Sequence, residues 1–403
     1  MENFLENVQL TEKWAPILEH AKLAPIADDY RKSVTATLLE NQQNDLQKLN
    51  EAGEPANVTG GINKWDPVLI GLVRRAIPQM IAFDIAGVQP MTMPTGLIFA
   101  LRARYSSQTG IEALFNEADT AFGGTGTHPA DGKAIDDTTP ATAIEPGKSM
   151  DTATGEGNIG NQMAVSIEKI SATAGTRALK AEYSVELAQD MASVHGLDAE
   201  TELANILATE IMNEINREFL RTLYAQAVLG GVNGTGKFDV DVDSDGRWSA
   251  EKFKGLHFVI EQDANAIGIA TRRGKGNVAI VSPNVASALA MANVLSYSTL
   301  DTNLNSDWTQ STYVGNIGGR MKVFVDPYIT GDFYMIGYKG TSPFDAGYFY
   351  CPYIPLQMYK AVDQMSFQPK IAFKTRYALV ANPLFNEGLR KNGYYRISQV
   401  SNI

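Results

Sequence analysis

The chain has 403 residues, enough for two or three domains with a substantial hydrophobic core. Its 34 basic and 45 acidic residues give a formal net charge of −11, so general affinity for nucleic acids or anionic membranes is not expected. The single cysteine, Cys351, excludes an internal disulfide framework and fits assembly in a reducing cytosol. We expect neither membrane insertion nor secretion, because there is no long apolar run and the N-terminus is acidic.

The first 51 residues are predicted to be a separate module. They contain five basic and nine acidic residues, and they carry an amphipathic helical stripe at Tyr30, Val34 and Leu38. This stripe has too few apolar residues to build a core of its own. The glycine-rich stretch 51–61 indicates a linker. Asp66-Pro67 then indicates the start of a helix, since proline is favoured at the first helical position.

The next segment alternates like a strand. In Leu97–Tyr105, the apolar side chains of Leu97, Phe99 and Leu101 would lie on one side of a strand. Arg102 and Arg104 would lie on the opposite side, so a half-buried strand is predicted. Residues 119–161 are rich in Gly, Thr, Asp and Pro and are predicted to be a long exposed loop. A second strand is predicted over Met163–Ile170. We therefore expect Leu97–Ile170 to be an extended two-stranded arm with a mobile tip.

The forty residues Leu179–Glu218 predict a short helix, a break at Gly196 and one very long helix. Asp198 is a suitable N-cap, and Gly230-Gly231 would end the helix. One buried face is predicted from apolar residues at steps of three and four, namely Leu203, Ile206, Leu207, Ile211, Ile215, Phe219 and Leu223. A rod of about 45 Å suits a mechanical spine. Periodicity alone favours the alternative, an ordinary buried helix of a large α+β domain.

Beyond Gly231 the pattern is α+β. Helices are predicted at Glu251–Ile269 and Asn284–Ala292, with a buried strand at Val278–Val281 between them. Met321–Val325 and Phe333–Tyr338 are predicted to pair as a hairpin. Two closing strands are predicted near Gly347–Tyr353 and Ile371–Val380.

One stretch, Gly231–Lys237, nearly matches a phosphate-binding loop. Such a loop needs a preceding strand, a following helix and a hydroxyl after the lysine. Here the long helix precedes the stretch and Phe238 replaces the hydroxyl. We therefore predict a turn, and we keep a nucleotide-binding enzyme only as an alternative function.

Metal sites and catalytic groups are not indicated. Asp241, Asp243 and Asp245 begin like a calcium loop, but Lys252 stands where a glutamate is required, so a solvated turn is predicted. The basic loop Arg272–Lys275 is predicted to be solvated. No metal-ligand spacing is shared by the four histidines, His20, His128, His195 and His257. We predict no catalytic residue, no cofactor and no metal site.

Long ungapped blocks closely resemble the major capsid proteins of T-even-type tailed phages: Val73–Tyr105, Leu179–Glu218, Gly337–Tyr353 and Phe367–Tyr377. The resemblance implies an α+β, HK97-like fold. It assigns 52–87 to an N-arm, 88–183 to an extended loop with its tip at 119–161, 184–250 to a peripheral domain with spine helix 198–229, 251–361 to an axial domain, and 362–403 to returning strands. The inserted domain that relatives carry at 119–161 is shortened here, so its contacts are not transferred.

The resemblance implies hexamers that tile an icosahedral or elongated head around DNA, without sequence-specific binding. It also implies assembly in the host cytoplasm with a scaffolding core, a prohead protease, a portal and a vertex protein, followed by shell expansion. It leaves open whether decoration proteins bind and whether a host chaperonin is required. The pentameric vertex protein of the same fold is the alternative, but Gly87–Met91 resembles the hexamer-forming protein. A tube-forming tail or sheath protein is a further alternative.

The resemblance also implies a processing site. The family's prohead protease cuts after glutamate in the pattern aliphatic-x-Glu followed by a small residue. Leu49, Glu51 and Ala52 fit this pattern, so residues 1–51 are predicted to be a scaffold-binding propeptide that is removed. The rival match Leu38-Leu39-Glu40 is followed by Asn41 and lies within a predicted helix, so it ranks second.

Overall fold

The computed structural model describes residues 2–403 except 20–25, 27, 52–79, 115–116, 127–146, 158–159, 245–247, 298–311, 364, 366–367 and 383–387. The described residues form two compact units. One consists of Met1–Leu97 with Ser171–Ile403, and the other is Ile98–Ile170. No helix in the described ranges is long and apolar enough to span a membrane.

The described helices are α1 (Glu2–Leu18), α2 (Asp29–Glu51), α3 (Ala82–Ile85), α4 (Thr152–Gly155), α5 (Val185–Asp190, continued by a π-helical turn at Met191–His195), α6 (Ala199–Gln226), α7 (Ser249–Thr271) and α8 (Pro283–Met291). The described strands are β1 (Gly87–Val88), β2 (Thr95–Tyr105), β3 (Glu112–Ala113), β4 (Met163–Thr173), β5 (Gly175–Glu182), β6 (Ala227–Leu229), β7 (Lys237–Asp239), β8 (Val278–Val281), β9 (Leu295–Tyr297), β10 (Thr312–Ile317), β11 (Met321–Val325), β12 (Phe333–Gly337), β13 (Tyr348–Val362), β14 (Pro369–Ala381) and β15 (Asn392–Ser401).

The larger sheet has the order β6-β15-β12-β8-β11-β10-β9, with β7 paired to β15. All four residues of β8 are buried, because it has a strand on each side and the helices α7 and α8 cover the sheet. The predicted hairpin of Met321–Val325 with Phe333–Tyr338 is wrong. β8 lies between β11 and β12, parallel to the first and antiparallel to the second.

The second sheet has the order β1-β13-β14-β5. β13 and β14 are longer than predicted and pair antiparallel along most of their length. The long helix α6 packs on this sheet. Its Phe219 ring lies 5.7 Å from the ring of Tyr348 in β13. A hydrophobic core lies between α6 and this sheet, and it includes Phe219, Tyr348 and Phe373.

The predicted long helix is confirmed, with two corrections. Asp198 caps α6 by accepting from the amide of Glu200. The helix ends at Gln226, three residues before the predicted end, because Ala227–Leu229 becomes extended and pairs with β15. Ile206 is 61% exposed, contrary to prediction. At 100° per residue it lies about 140° around the helix from the buried Ile211, so the step of three from Leu203 followed the wrong face.

The N-terminal residues are not a separate module. Val34, Leu38 and Leu39 of α2 belong to the same hydrophobic core as α6. Because the stripe has too few apolar residues for its own core, it is buried against the rest of the unit. The predicted linker beyond Glu51 and the predicted helix start at Asp66-Pro67 lie outside the described residues.

Candidate functional site

The extended unit Ile98–Ile170 is a three-stranded sheet in the order β3-β2-β4, which confirms the two predicted strands. One face carries a charge network. The Nε of Arg104 donates to Ser166 Oγ at 2.9 Å, and its Nη2 lies 3.0 Å from Glu168. Arg102 pairs with Glu168 at 3.3 Å and with Glu112 at 3.6 Å. The charges of this face are therefore neutralised within the unit.

The opposite face of the same sheet is apolar and open. Successive side chains of a strand alternate between faces, so Phe99 and Leu101 lie opposite the arginines and Ile167 lies opposite Glu168. These three side chains are 62%, 72% and 67% exposed. The predicted alternation is confirmed, but the predicted burial is inverted, because the arginine face is the covered one. We call Phe99, Leu101, Met163, Val165 and Ile167 the apolar loop face; all five are exposed.

Beyond these strands, the described parts of the predicted loop 119–161 are mostly irregular. An isolated bridge joins Thr125 to Lys148, and α4 contributes a single helical turn. The ring of Phe122 packs on Tyr105 with centroids 4.5 Å apart, which ties the turns to the end of β2. Residues 127–146 lie outside the described part, so the predicted mobility of the tip stays a prediction.

Two arginine clusters fix α6 in place. Arg177 of β5 lies 2.5 Å from Glu214 and 2.5 Å from Glu218, and its Nε donates to the Tyr377 hydroxyl at 2.9 Å. The Tyr377 hydroxyl in turn donates to Glu218. Burial, together with this bond to a carboxylate, raises the pKa of Tyr377 to about 12. The hydroxyl therefore remains protonated near neutral pH and acts as a donor.

The second cluster joins α6 to the end of β11. Asp326 is only 1% exposed, and both of its oxygens accept from Arg217 Nη1, at 2.7 and 2.8 Å. It also accepts from the Tyr224 hydroxyl at 2.8 Å and from the Tyr328 amide at 3.0 Å. The two clusters line a groove of about 470 Å³ along α6. Through these two clusters, side chains of α6 are bonded to β5, to β14 and to the end of β11.

The stretch Gly231–Lys237 is a turn, as predicted. Gly231 and Gly236 have positive φ, and β7 follows where a phosphate loop needs a helix. The Gly231 amide donates to the buried carboxylate of Asp263 at 2.8 Å. Tyr334 and Arg396 also donate to Asp263, at 2.8 and 3.0 Å. The Gly231 amide, which would have to donate to a phosphate, is thus already bonded to an internal carboxylate.

The remaining candidates also lack the geometry of a site. Lys252 pairs with Asp241 at 2.5 Å, and Asp245 lies outside the described residues. In the basic loop, Arg273 lies 3.7 Å from Asp345 and Lys275 pairs with Glu261. No group of three or more His, Cys, Asp or Glu suited to a metal occurs within the described ranges. Two of the histidines, His20 and His128, fall outside those ranges.

The predicted processing site is only partly described. Leu49 and Glu51 are in the last turn of α2, which ends at Glu51, and Ala52 lies outside the described residues. The rival match is inaccessible, because Leu38 and Leu39 are both buried in the core. This agrees with its second rank.

Comparison with known proteins supports the resemblance. The family model for the major capsid protein Gp23 matches residues 62–400. The major capsid protein of Salmonella phage ViI is 40% identical over 399 residues, covering 93% of this chain and 90% of that protein. That of Enterobacteria phage T4 is 33% identical, covering 93% and 91%. The capsid vertex protein of the same phage is 27% identical over 54% of this chain.

Solved capsids are also similar. The capsid of the native GTA particle has a TM-score of 0.45 at 12% identity, covering 87% of this chain and 95% of that chain. The capsid of the myovirus XM1 has a TM-score of 0.44 at 10% identity, covering 87% and 97%. The observed helices and sheets confirm the α+β class, and the HK97-like assignment rests on the family. The chain belongs to the Gp23 family of major capsid proteins, the main capsid proteins of tailed-phage heads.

Proposed function

We propose that this major capsid protein forms hexamers that tile an icosahedral or elongated head around DNA, and that the apolar loop face contacts a neighbouring subunit. The observation that carries this proposal is the exposure of Phe99, Leu101 and Ile167 on a sheet whose other face is self-paired. A contiguous exposed apolar face of this kind marks a protein contact surface.

The contact is repeated in every subunit of the shell. A loop face that packs on a different surface of the next copy forms a head-to-tail interface, and such interfaces close into rings. Each contact is modest, but a shell repeats it many times. The lifetime of the shell is therefore set by the rate at which it disassembles. The proposed shell encloses DNA without sequence-specific binding, and the net charge of −11 gives no general attraction to phosphates either.

The test is a charge placed on the apolar loop face. The double variant Leu101→Glu/Ile167→Glu is expected to remain folded and soluble but to form no particles by negative-stain microscopy. Val242→Glu is the matched control, because it makes the same change at an exposed apolar residue of the other unit. Deletion of Leu97–Ile170 is expected to have the same effect as the double variant. Normal shells from either loop variant would contradict the proposed contact.

The vertex protein remains the alternative for the local symmetry. The greater coverage and identity of the major capsid relatives favour the hexameric role. Copy number in purified virions separates the two, because a hexamer-forming protein is far more abundant than one confined to vertices. Six-fold capsomers built from this chain support the proposal, and five-fold capsomers alone would contradict it.

We further propose that residues 1–51 are a scaffold-binding propeptide, which the prohead protease removes by cutting between Glu51 and Ala52. The match at Leu49–Ala52, the end of α2 at Glu51 and the burial of the rival site support this assignment. Glu51→Gln is expected to leave the virion protein beginning at Met1 by N-terminal sequencing. Glu40→Gln, at the rival site, should leave cleavage intact. A wild-type virion protein that begins at Met1 would contradict the processing.

Assembly in the host cytoplasm is proposed to involve the scaffolding core, the portal and a vertex protein. The single cysteine supports a reducing compartment, since it offers no disulfide framework. Membership of a structural capsid family supports a role without catalysis. We expect no binding in a nucleotide-binding assay, because the Gly231 amide already donates to Asp263.

A further inference from the structure

Helix α2 rests in a close-fitting apolar seat. Its Leu38 lines a cavity of only about 20 Å³ together with Ile211 and Ile215 of α6 and Leu356 of β13. A space this small means that the helix and its seat are in direct contact. The seat, defined as these residues of α6 and β13 with Tyr350 and Pro352, is therefore covered by the segment that the proposed processing would remove.

Polar contacts fix the position of α2 on this seat. The Nδ2 of Asn41 donates to the carbonyl oxygens of Met91 and Tyr353, at 2.8 and 3.0 Å. Arg31 lies 3.0 Å from Asp84. The first helix is tied to the second, since Lys13 pairs with Glu40 at 2.7 Å. The two helices thus form one docked element with a defined register.

Beside these contacts lies one unfavourable group. Gln42 is only 3% exposed, and neither its Nε2 nor its Oε1 has a hydrogen-bond partner among the residues that the structure describes. It follows Leu38 and Leu39 on the buried stripe of α2, where an apolar side chain would fit the pattern. An unpaired buried amide weakens such a contact by roughly five- to a hundredfold.

We propose that the seat is a helix-docking surface adjusted for release, and that Gln42 sets how readily α2 leaves it. While the chain is continuous, the linkage keeps α2 at an effective concentration on the order of mM near the seat, so weak docking suffices. Once the chain is cut, this concentration disappears and a weakly held helix dissociates. Release after cutting rests on the proposed processing, whereas the weak docking itself does not.

The experiment measures hydrogen exchange of the α2 amides in the full, uncleaved chain. Gln42→Met replaces the amide with an unbranched apolar side chain, and it is expected to slow exchange in α2 about tenfold. Asn44→Met is the control on the exposed side of the same helix; it raises helix propensity without touching the seat, and it should slow exchange no more than about twofold. Amides of the central strand β8 report that the fold is intact, and Gln42→Leu is a second variant in case methionine fits poorly.

Exchange that either Gln42 variant slows clearly more than the control does supports the proposal. Unchanged or faster exchange in both variants overturns it, and so does equal slowing by Asn44→Met, which would mean that helix propensity is the cause. Because the chain is uncleaved, this result is independent of the proposed processing. Virion protein beginning at Met1 would contradict the processing and leave the docking measurement standing.

Discussion

Replacing Arg217 tests how strongly the spine helix is fixed to the larger sheet. Arg217→Met removes the cationic partner of Asp326 and the packing of the guanidinium over Tyr328, whose ring centroid lies 5.0 Å away. Among the described residues, Asp326 then keeps the Tyr224 hydroxyl and one amide as donors. Removing one member of a buried pair costs about 3–5 kcal/mol. We expect about 3 kcal/mol, because Arg217 itself is 22% exposed and water screens part of the interaction.

The assay is chemical unfolding of unassembled subunits, with hydrogen exchange in α6 as a local probe. Arg221→Met is the control, since it makes the same change one turn along the helix, at a residue with no ion pair among those described. Its effect should stay within about 0.5 kcal/mol. Asp326→Asn combined with Arg217→Met should cost less than the sum of the two single changes, because the uncompensated charge is then absent.

Two results would refute this reasoning. If Arg217→Met costs no more than Arg221→Met, the ion pair with Asp326 is fully screened and does not help to hold the helix. If the double variant costs the sum of the singles, the two side chains are not energetically coupled. Either result would reduce the groove along α6 to an incidental surface feature.

Three further changes test other contacts by chemical unfolding. Gly231→Ala should cost about 1–3 kcal/mol, because its φ is +76° and a Cβ would lie 2.6 Å from the Lys237 carbonyl oxygen; Gly234→Ala, with a similar φ but open space, should cost less. Leu38→Ala should cost about 3 kcal/mol and loosen α2. Burial raises the pKa of Glu261, but its ion pairs outweigh burial and hold the pKa below 4.5. The ionised carboxylate therefore stabilises the fold, and this stabilisation is lost as the pH falls below about 4.5. Glu261→Gln should make the free energy of unfolding less dependent on pH in that range.

The local sequence pattern predicted those elements whose apolar run or capping residue lies within the element itself. β8 was predicted to the residue, because four consecutive apolar side chains between breaks describe a strand buried on both faces. The start of α6 was predicted from Asp198, whose side chain caps the helix without help from the rest of the fold. Its end was not, since Ala227–Leu229 leaves the helix to pair with β15, a partner more than 160 residues away in sequence.

Strand order was not predicted either, because it also depends on partners that are distant in sequence. β11 and β12 are neighbours in sequence, and only the insertion of β8 separates them in space. The closing strand β15 was missed altogether. Its residues alternate poorly, because Tyr394 and Tyr395 are both buried and serve two different sides of the sheet. No local period marks a strand of this kind.

The extended loop differs, because its pattern was correct and its burial was inverted. Alternation shows that a strand has two chemically distinct faces, but it does not show which face the same chain covers. Here the charges of Arg102 and Arg104 are matched within the loop, and the apolar side chains opposite them are exposed. We propose that a neighbouring copy in the shell covers this apolar face. An apolar face that stays exposed in one subunit is therefore the feature that points to a contact made on assembly.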